Sequence, residues 1–335
     1  MKIWQKILLV GLSLTVTACE RLLFPDVIED NKVENFDLLW KTLNAKYAYF
    51  ELKEVDWQMV YDTCRPKVDE LNSPVALFDL MADMLNLLQD GHTNLISGFD
   101  IGRNWNWYLH RPVNFDWNVI ERHYLGDDYR ITGPFYHSWL LPDSVGYVYY
   151  GSFSGDFSAS QLDLIMQRFD RAKGLILDLR DNGGGSLGNA LALAGRLVMA
   201  DRIAFFEEAK NGAGPNDFTS AQPVYVRRQG FFYGNPVFVL TNRQCYSATN
   251  SFAAMVKGLP QVRLLGDTTG GGGGLPVYGD LPNGWTFRYS ATRTFTPDGH
   301  SLELGIAPDI AVDLDSLALR SGIDSYIESA RILLQ

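Results

Sequence analysis

Apolar positions recur every three or four residues between Val33 and Phe50 and place Phe36, Leu39, Trp40, Leu43 and Tyr47 on one helical face. Two more helix-like segments follow, near 56–70 and 74–89. The last of them opens on Ser73, which can accept a first-turn N–H, and Pro74, whose fixed φ suits the first turn. From Ser144 the pattern changes. Short strand-like runs (Gly146–Tyr150, Leu175–Leu179, Val237–Leu240, Arg263–Leu265) alternate with helix-like stretches at 158–171, 187–199 and 247–257. Such alternation predicts βαβ units around a mainly parallel sheet. Pro282-Asn283-Gly284 divides two strand-like runs within Leu275–Thr296, which predicts a hairpin. Between 97 and 141 the period is weak, and Trp105, Trp107, Trp117 and Trp139 lie among turn residues that suggest strands and loops.

Composition narrows the class. A chain of 335 residues that is 46% hydrophobic and carries 8 Trp can bury a substantial core, unlike disordered or collagen-like chains. The formal charge is −10, and no Lys or Arg run could track a phosphate backbone, so nucleic acid is not an expected partner. The three cysteines, Cys19, Cys64 and Cys245, form no CxxC pair, which excludes a thiolate zinc site and a disulfide scaffold.

Lys2 and Lys6 precede the apolar run Ile7–Thr17, which is too short to span a bilayer comfortably and leads into Val16-Thr17-Ala18-Cys19. This layout resembles a bacterial lipobox with Cys19 as acceptor. The resemblance implies a lipoprotein signal peptide over 1–18 and a chain lipid-anchored to a membrane of the bacterial cell envelope. Two acyl chains on Cys19 would suffice for stable attachment.

The segment Leu175-Ile176-Leu177-Asp178-Leu179-Arg180-Asp181-Asn182-Gly183-Gly184-Gly185-Ser186-Leu187-Gly188 reads as a buried strand, a tight turn and a helix start. Its spelling admits three chemistries. Gly183, Gly185 and Gly188 fit G-x-G-x-x-G, with Glu207 or Glu208 about twenty residues on, as a dinucleotide site requires. Gly184, Ser186 and Gly188 fit the G-x-S-x-G nucleophile elbow, with His300 as a late base. The third reading takes the glycines as exposed N–H donors at a helix N-terminus, suited to an oxyanion.

Four further segments bear on that choice. Asp90-Gly91-His92-Thr93 closes the third helix-like segment. Thr241-Asn242-Arg243 leaves a strand, and Tyr246-Ser247-Ala248 opens a helix, so Ser247 is either an N-cap or a nucleophile at a strand-to-helix junction. Cys245, two residues away, is a second candidate nucleophile. Gly266-Asp267-Thr268-Thr269 enters the run Gly270–Gly274, read as a flexible linker or a substrate-side lid, and Glu303-Leu304-Gly305-Ile306-Ala307-Pro308-Asp309 comes last.

In this order the five motifs, spread from about 33 to 315, resemble the C-terminal processing (tail-specific) serine peptidases, a family that includes the tricorn core protease. The resemblance implies a ClpP/crotonase-like α/β core at 144–335 behind an N-terminal helical subdomain at 19–95. The strand and loop region at 96–143 stands where family members commonly carry a PDZ domain, and it is too short for one. Ser247 would be the nucleophile, with Ala248 and Gly183 or Gly184 as oxyanion donors. The dyad lysine of many members is missing from Gly270–Gly274, which points to the tricorn-type branch, with His92 as base and Glu303 as its orienter. In that branch a serine precedes the histidine; here the position is Gly91, and Thr93 is the neighbouring hydroxyl that could substitute. No metal or organic cofactor is implied, and the substrate is a polypeptide. Two rival readings remain: an esterase-type hydrolase using Ser186, and a non-catalytic binder on the same fold with an apolar groove along Trp105–Trp117.

Overall fold

The computed structural model describes residues 31–104, 107 and 110–335. The signal-peptide and Cys19 lipidation expectations, and Trp105, lie outside them. Three helices come first: α1 (Lys32–Lys46), α2 (Trp57–Val68) and α3 (Pro74–Asn86). Each begins where a short polar side chain accepts a first-turn N–H: Asn31 from Glu34, Asp56 from Met59 and Ser73 from Ala76. Their apolar faces do not close a core alone. They pack on the hairpin of β11 (Pro276–Asp280) and β12 (Thr286–Ser290), which adds Leu281, Trp285, Phe287 and Tyr289 to the buried set. The Asn283 N–H at the hairpin tip donates to Asn35 Oδ1 on α1. Strand β1 (Asn94–Ile96) pairs antiparallel with β12, so the chain just after His92 is fixed by a segment almost 200 positions downstream.

The main sheet has seven strands in the order β14-β10-β9-β6-β5-β4-β3. The strands β5 (Val145–Tyr150), β6 (Leu175–Asp178), β9 (Val237–Thr241), β10 (Val262–Gly266) and β14 (Ile310–Ala311) run parallel. The edge strands β3 (Arg130–Thr132) and β4 (Phe135–Leu140) are antiparallel, so the sheet extends ahead of Ser144. Side chains alternate between two buried faces. Val148, Leu175, Leu177, Val239 and Leu264 pack against helices at Ala159–Arg168, Leu187–Ala194 and Ala248–Val256. Tyr147, Ile176, Phe238, Leu240 and Leu265 face the segment Ile120–Leu125 and the terminal helix Ser325–Leu333. Trp117, partly buried, packs against this second core beside Tyr136 and Tyr149.

After β6 and its helix the chain leaves the sheet. Strand β7 (Arg202–Ala209) pairs antiparallel with β8 (Gln222–Val226) and β13 (Thr292–Phe295). The strand following the glycine turn therefore does not return parallel beside β6, as a dinucleotide-binding unit would need, and Glu208 is paired with Arg293 at 2.6 Å.

Candidate active site

Strands β6 and β9 are neighbours, so the turns at their carboxyl ends, Asp181–Gly185 and Asn242–Ser247, lie side by side. Two buried asparagines join them. Asn182 Oδ1 accepts from the Gly184 N–H at 3.0 Å and from Thr249 Oγ1 at 2.7 Å, while its Nδ2 donates to the Tyr150 carbonyl. Asn242 Nδ2 donates to Asp181 Oδ1 and Asn114 Oδ1, both at 2.8 Å, and its Oδ1 accepts the Asp181 N–H. Arg180, fully buried, pairs with Asp178 at 2.6 Å and with Asp324, the cap of the terminal helix, at 2.9 Å, which anchors the base of the first turn. Two buried carboxylates around one guanidinium satisfy each other by charge-assisted bonds where a lone charge would be costly.

Ser247 sits at the N-cap of the helix Ala248–Val256 with φ 57° and ψ −119°, in the left-handed region that non-glycine residues avoid. Its hydroxyl caps nothing. Ser186, by contrast, spends its Oγ on the Asn189 N–H, and His300, its expected base, has Nε2 2.7 Å from the Gly305 carbonyl. Cys245 is equally unsuited as a nucleophile: it is fully buried, its Sγ donates to the Leu179 carbonyl, and burial pushes its thiol far above the usual range.

Ser247, Ala248, Gly183 and His92 share the wall of one cavity of about 370 Å³. Leu187, Phe205 and Leu275 supply its apolar walls, and Glu207 and Arg288 its charges. The Ala248 N–H, at the first position of the helix, and the Gly183 N–H make no protein hydrogen bond among the described residues, whereas the Gly184 N–H is committed to Asn182. Of the two expected oxyanion donors in the glycine turn, only Gly183 is available. Gly184 serves close packing instead. With φ 98°, it would bring an added Cβ within 2.8 Å of Ser247 Cβ.

His92 enters from the turn after α3. The buried Asp90 carboxylate holds that turn, accepting from the His92 N–H at 2.8 Å, Tyr47 Oη at 3.1 Å and Ser290 Oγ at 2.8 Å. Burial pushes the His92 imidazole down from 6.5 to about 4; Arg288 acts in the same sense and Asp90 against it. The ring is therefore neutral at pH 7, as a base must be. It packs edge to face on Tyr246 at 4.9 Å. Among the described residues its Nδ1 has no hydrogen-bond partner, and no hydrogen bond joins the ring to Ser247 Oγ.

Glu303 does not reach the His92 ring. Its Oε2 accepts the Gly273 N–H at 3.0 Å and its Oε1 pairs with Lys53 at 2.9 Å. Thr93 Oγ1 supplies no link either; it is buried without a partner among the described residues. Burial, reinforced by the charge of Asp90, raises the Glu303 carboxyl to about 7, with Lys53 and the Gly273 N–H opposing. The glycine run is neither linker nor lid. Gly271–Gly274 are buried, the Ser247 N–H donates to the Gly271 carbonyl at 2.9 Å, and a Cβ on Gly272 would strike the Tyr246 ring. Lys53, Asn182 and Asn242 are the supporting residues whose parts sequence reasoning did not assign. The asparagines had a signal in their place just after buried strands; Lys53 had none.

The site thus combines two glycine-bearing turns at the ends of adjacent parallel strands with a serine on a helix N-terminus. The profile for peptidase family S41 matches residues 144–312, and that for the tricorn protease C1 domain matches residues 29–86. A candidate peptidase from Parabacteroides merdae of known structure is 42% identical, with a TM-score of 0.87 over 91% of this chain and 97% of that one. The chain belongs to peptidase family S41. Among curated relatives, the carboxy-terminal processing protease CtpA of Bacillus subtilis is 26% identical over 192 residues, 56% of this chain and 39% of its own. The chain thus spans well under half the length of that relative. Mature CPAF shares the fold at 14% identity, with a TM-score of 0.70 over 91% of this chain and 97% of its own.

Proposed function

We propose that this chain is a serine endopeptidase acting on polypeptides of the cell envelope. His92 removes the Ser247 proton as Oγ attacks a peptide carbonyl, and the Ala248 and Gly183 N–H groups receive the oxyanion. His92 then returns the proton to the leaving amine, and water hydrolyses the acyl-enzyme with His92 again as base. Glu303 acts through the glycine loop: by fixing Gly273 it fixes the strand-like contact between Gly271 and Ser247. The observation that carries this reading is Ser247 itself, a hydroxyl not used for capping, held in a strained turn beside a buried neutral histidine. Ser247→Ala and His92→Ala should each lower peptide hydrolysis by at least about a thousandfold with the fold retained. Undiminished turnover in both would remove the proposal.

The lipobox-like segment supports a second element, lipidation of Cys19 and attachment to a membrane of the envelope. No helix among the described residues is long and apolar enough to cross a membrane. Labelled palmitate should enter the wild-type protein and not Cys19→Ala; equal incorporation contradicts it.

A further inference from the structure

Lys53 lies in the turn after α1, far in sequence from every motif, yet its ammonium reaches the buried Glu303 carboxylate behind the glycine loop. It meets Glu303 Oε1 at 2.9 Å and donates to the Gln89 carbonyl at 3.1 Å. Gln89 has φ 46° and is the residue that swings the chain from α3 into Asp90-Gly91-His92. One cation thus touches both the strained turn carrying the base and the carboxylate holding the glycine loop. The carboxylate is 7% exposed as a residue and faces Asp90, Tyr47 and Tyr49, none of which supplies positive charge. Lys53 alone among these neighbours does. A buried carboxylate stripped of its cation takes up a proton rather than remain charged. Protonated, it accepts less strongly from Gly273, and the loop paired with Ser247 loosens.

We propose that Lys53 is the positioning residue of this site, favouring the ionised form of Glu303 against Gly273 and tying the helical layer to both the His92 turn and the glycine loop. The inference rests on the peptidase reading only for its kinetic consequence. The ion pair is tested without it, by following the Glu303 carboxyl carbon by NMR in protein labelled with 13C-glutamate, its signal assigned through Glu303→Gln.

The wild-type carboxyl should titrate near 7. In Lys53→Met it should titrate at least one pH unit higher, a tenfold or greater change in proton affinity. The rising limb of kcat against pH should move with it, with KM within about twofold, and Lys53→Arg should restore both. If Lys53→Met does not fold, Lys53→Gln, a donor without charge, takes its place with the same expectation. A Glu303 midpoint unchanged in the neutral variant overturns the proposal. A wild-type protein that titrates as described but cleaves no peptide through Ser247 overturns the peptidase reading and leaves the ion pair standing.

Discussion

A β-carbon on Gly91 would lie 2.7 Å from the Tyr246 hydroxyl oxygen and 2.9 Å from Cζ of the same ring. The side-chain space ahead of the histidine is occupied by the tyrosine ahead of Ser247. Gly91→Ser should therefore destabilise the protein by about 1–3 kcal/mol through overpacking. Adding Tyr246→Ala should recover at least ~1 kcal/mol of that loss, measured as a coupling energy in a urea double-mutant cycle. Strict additivity would show that the two positions do not compete for one space.

The two central glycines of the first turn should respond differently to a methyl group. At Gly183 an added Cβ meets nothing within 4 Å, so Gly183→Ala should change stability by less than ~0.5 kcal/mol. At Gly184 the φ is 98° and the Cβ would fall 2.6 Å from the Tyr246 carbonyl, so Gly184→Ala should cost more than ~2 kcal/mol. Chemical denaturation of both decides it, and equal costs would contradict the packing described for Gly184.

Strain at Ser247 gives a test that separates function from stability. Holding a non-glycine residue at φ 57° costs on the order of 1–3 kcal/mol, against roughly 0.5–1 kcal/mol of chain entropy that glycine loses on folding. The strain term is the larger. Ser247→Gly should be more stable than Ser247→Ala by about 1 kcal/mol while both are inactive. An alanine variant as stable as the glycine variant would mean that the turn is relaxed.

His92 makes stability depend on pH in a defined direction. Its folded pKa of about 4 lies below the usual 6.5, so as pH falls between those values the unfolded chain gains a proton that the native protein refuses. The contribution is fully present above 6.5 and is lost on acidification towards 4. Glu303, raised to about 7, acts oppositely: it favours the folded state below about 4.5 and loses that effect as pH rises through 7. The difference in Tm between wild type and His92→Gln should therefore shift steadily in favour of the variant from pH 6.5 down to 4. A flat difference across that range would place a solvated histidine there.

The parts of this molecule that depend on local pattern were legible. The helix start at Ser73, the helix in the stretch 158–171, the strands at Val145–Tyr150 and Val237–Thr241, and the Pro282-Asn283-Gly284 hairpin follow from a capping residue, apolar runs and turn chemistry. The helix at Leu187 stops at Ala194, short of the expected 199, where the Gly195 and Arg196 carbonyls accept from the Gln229 and Tyr233 N–H groups instead of from a further helical turn. Strands β3 and β4 fall in the stretch that reads only as strands and loops, and β7 and β8 have no clear signal, since their burial comes from partners across the sheet rather than from an internal period. The site divided in the same way. Ser247, His92 and Gly183 stand in motifs and line one cavity, while the partners of Glu303 do not announce themselves: Lys53 reaches it across 250 positions, and Gly273 comes from a run whose spelling suggests mobility. Long-range electrostatics leaves no periodic trace in a chain.

The central claim is that Ser247 is the nucleophile and His92 its base. Treatment of the full chain with a fluorophosphonate, followed by mass-spectrometric mapping, should find one adduct, on Ser247, formed at a rate reduced at least about a hundredfold in His92→Ala. An adduct on Ser186 or Cys245, or an unmodified Ser247 in folded protein, would contradict the account.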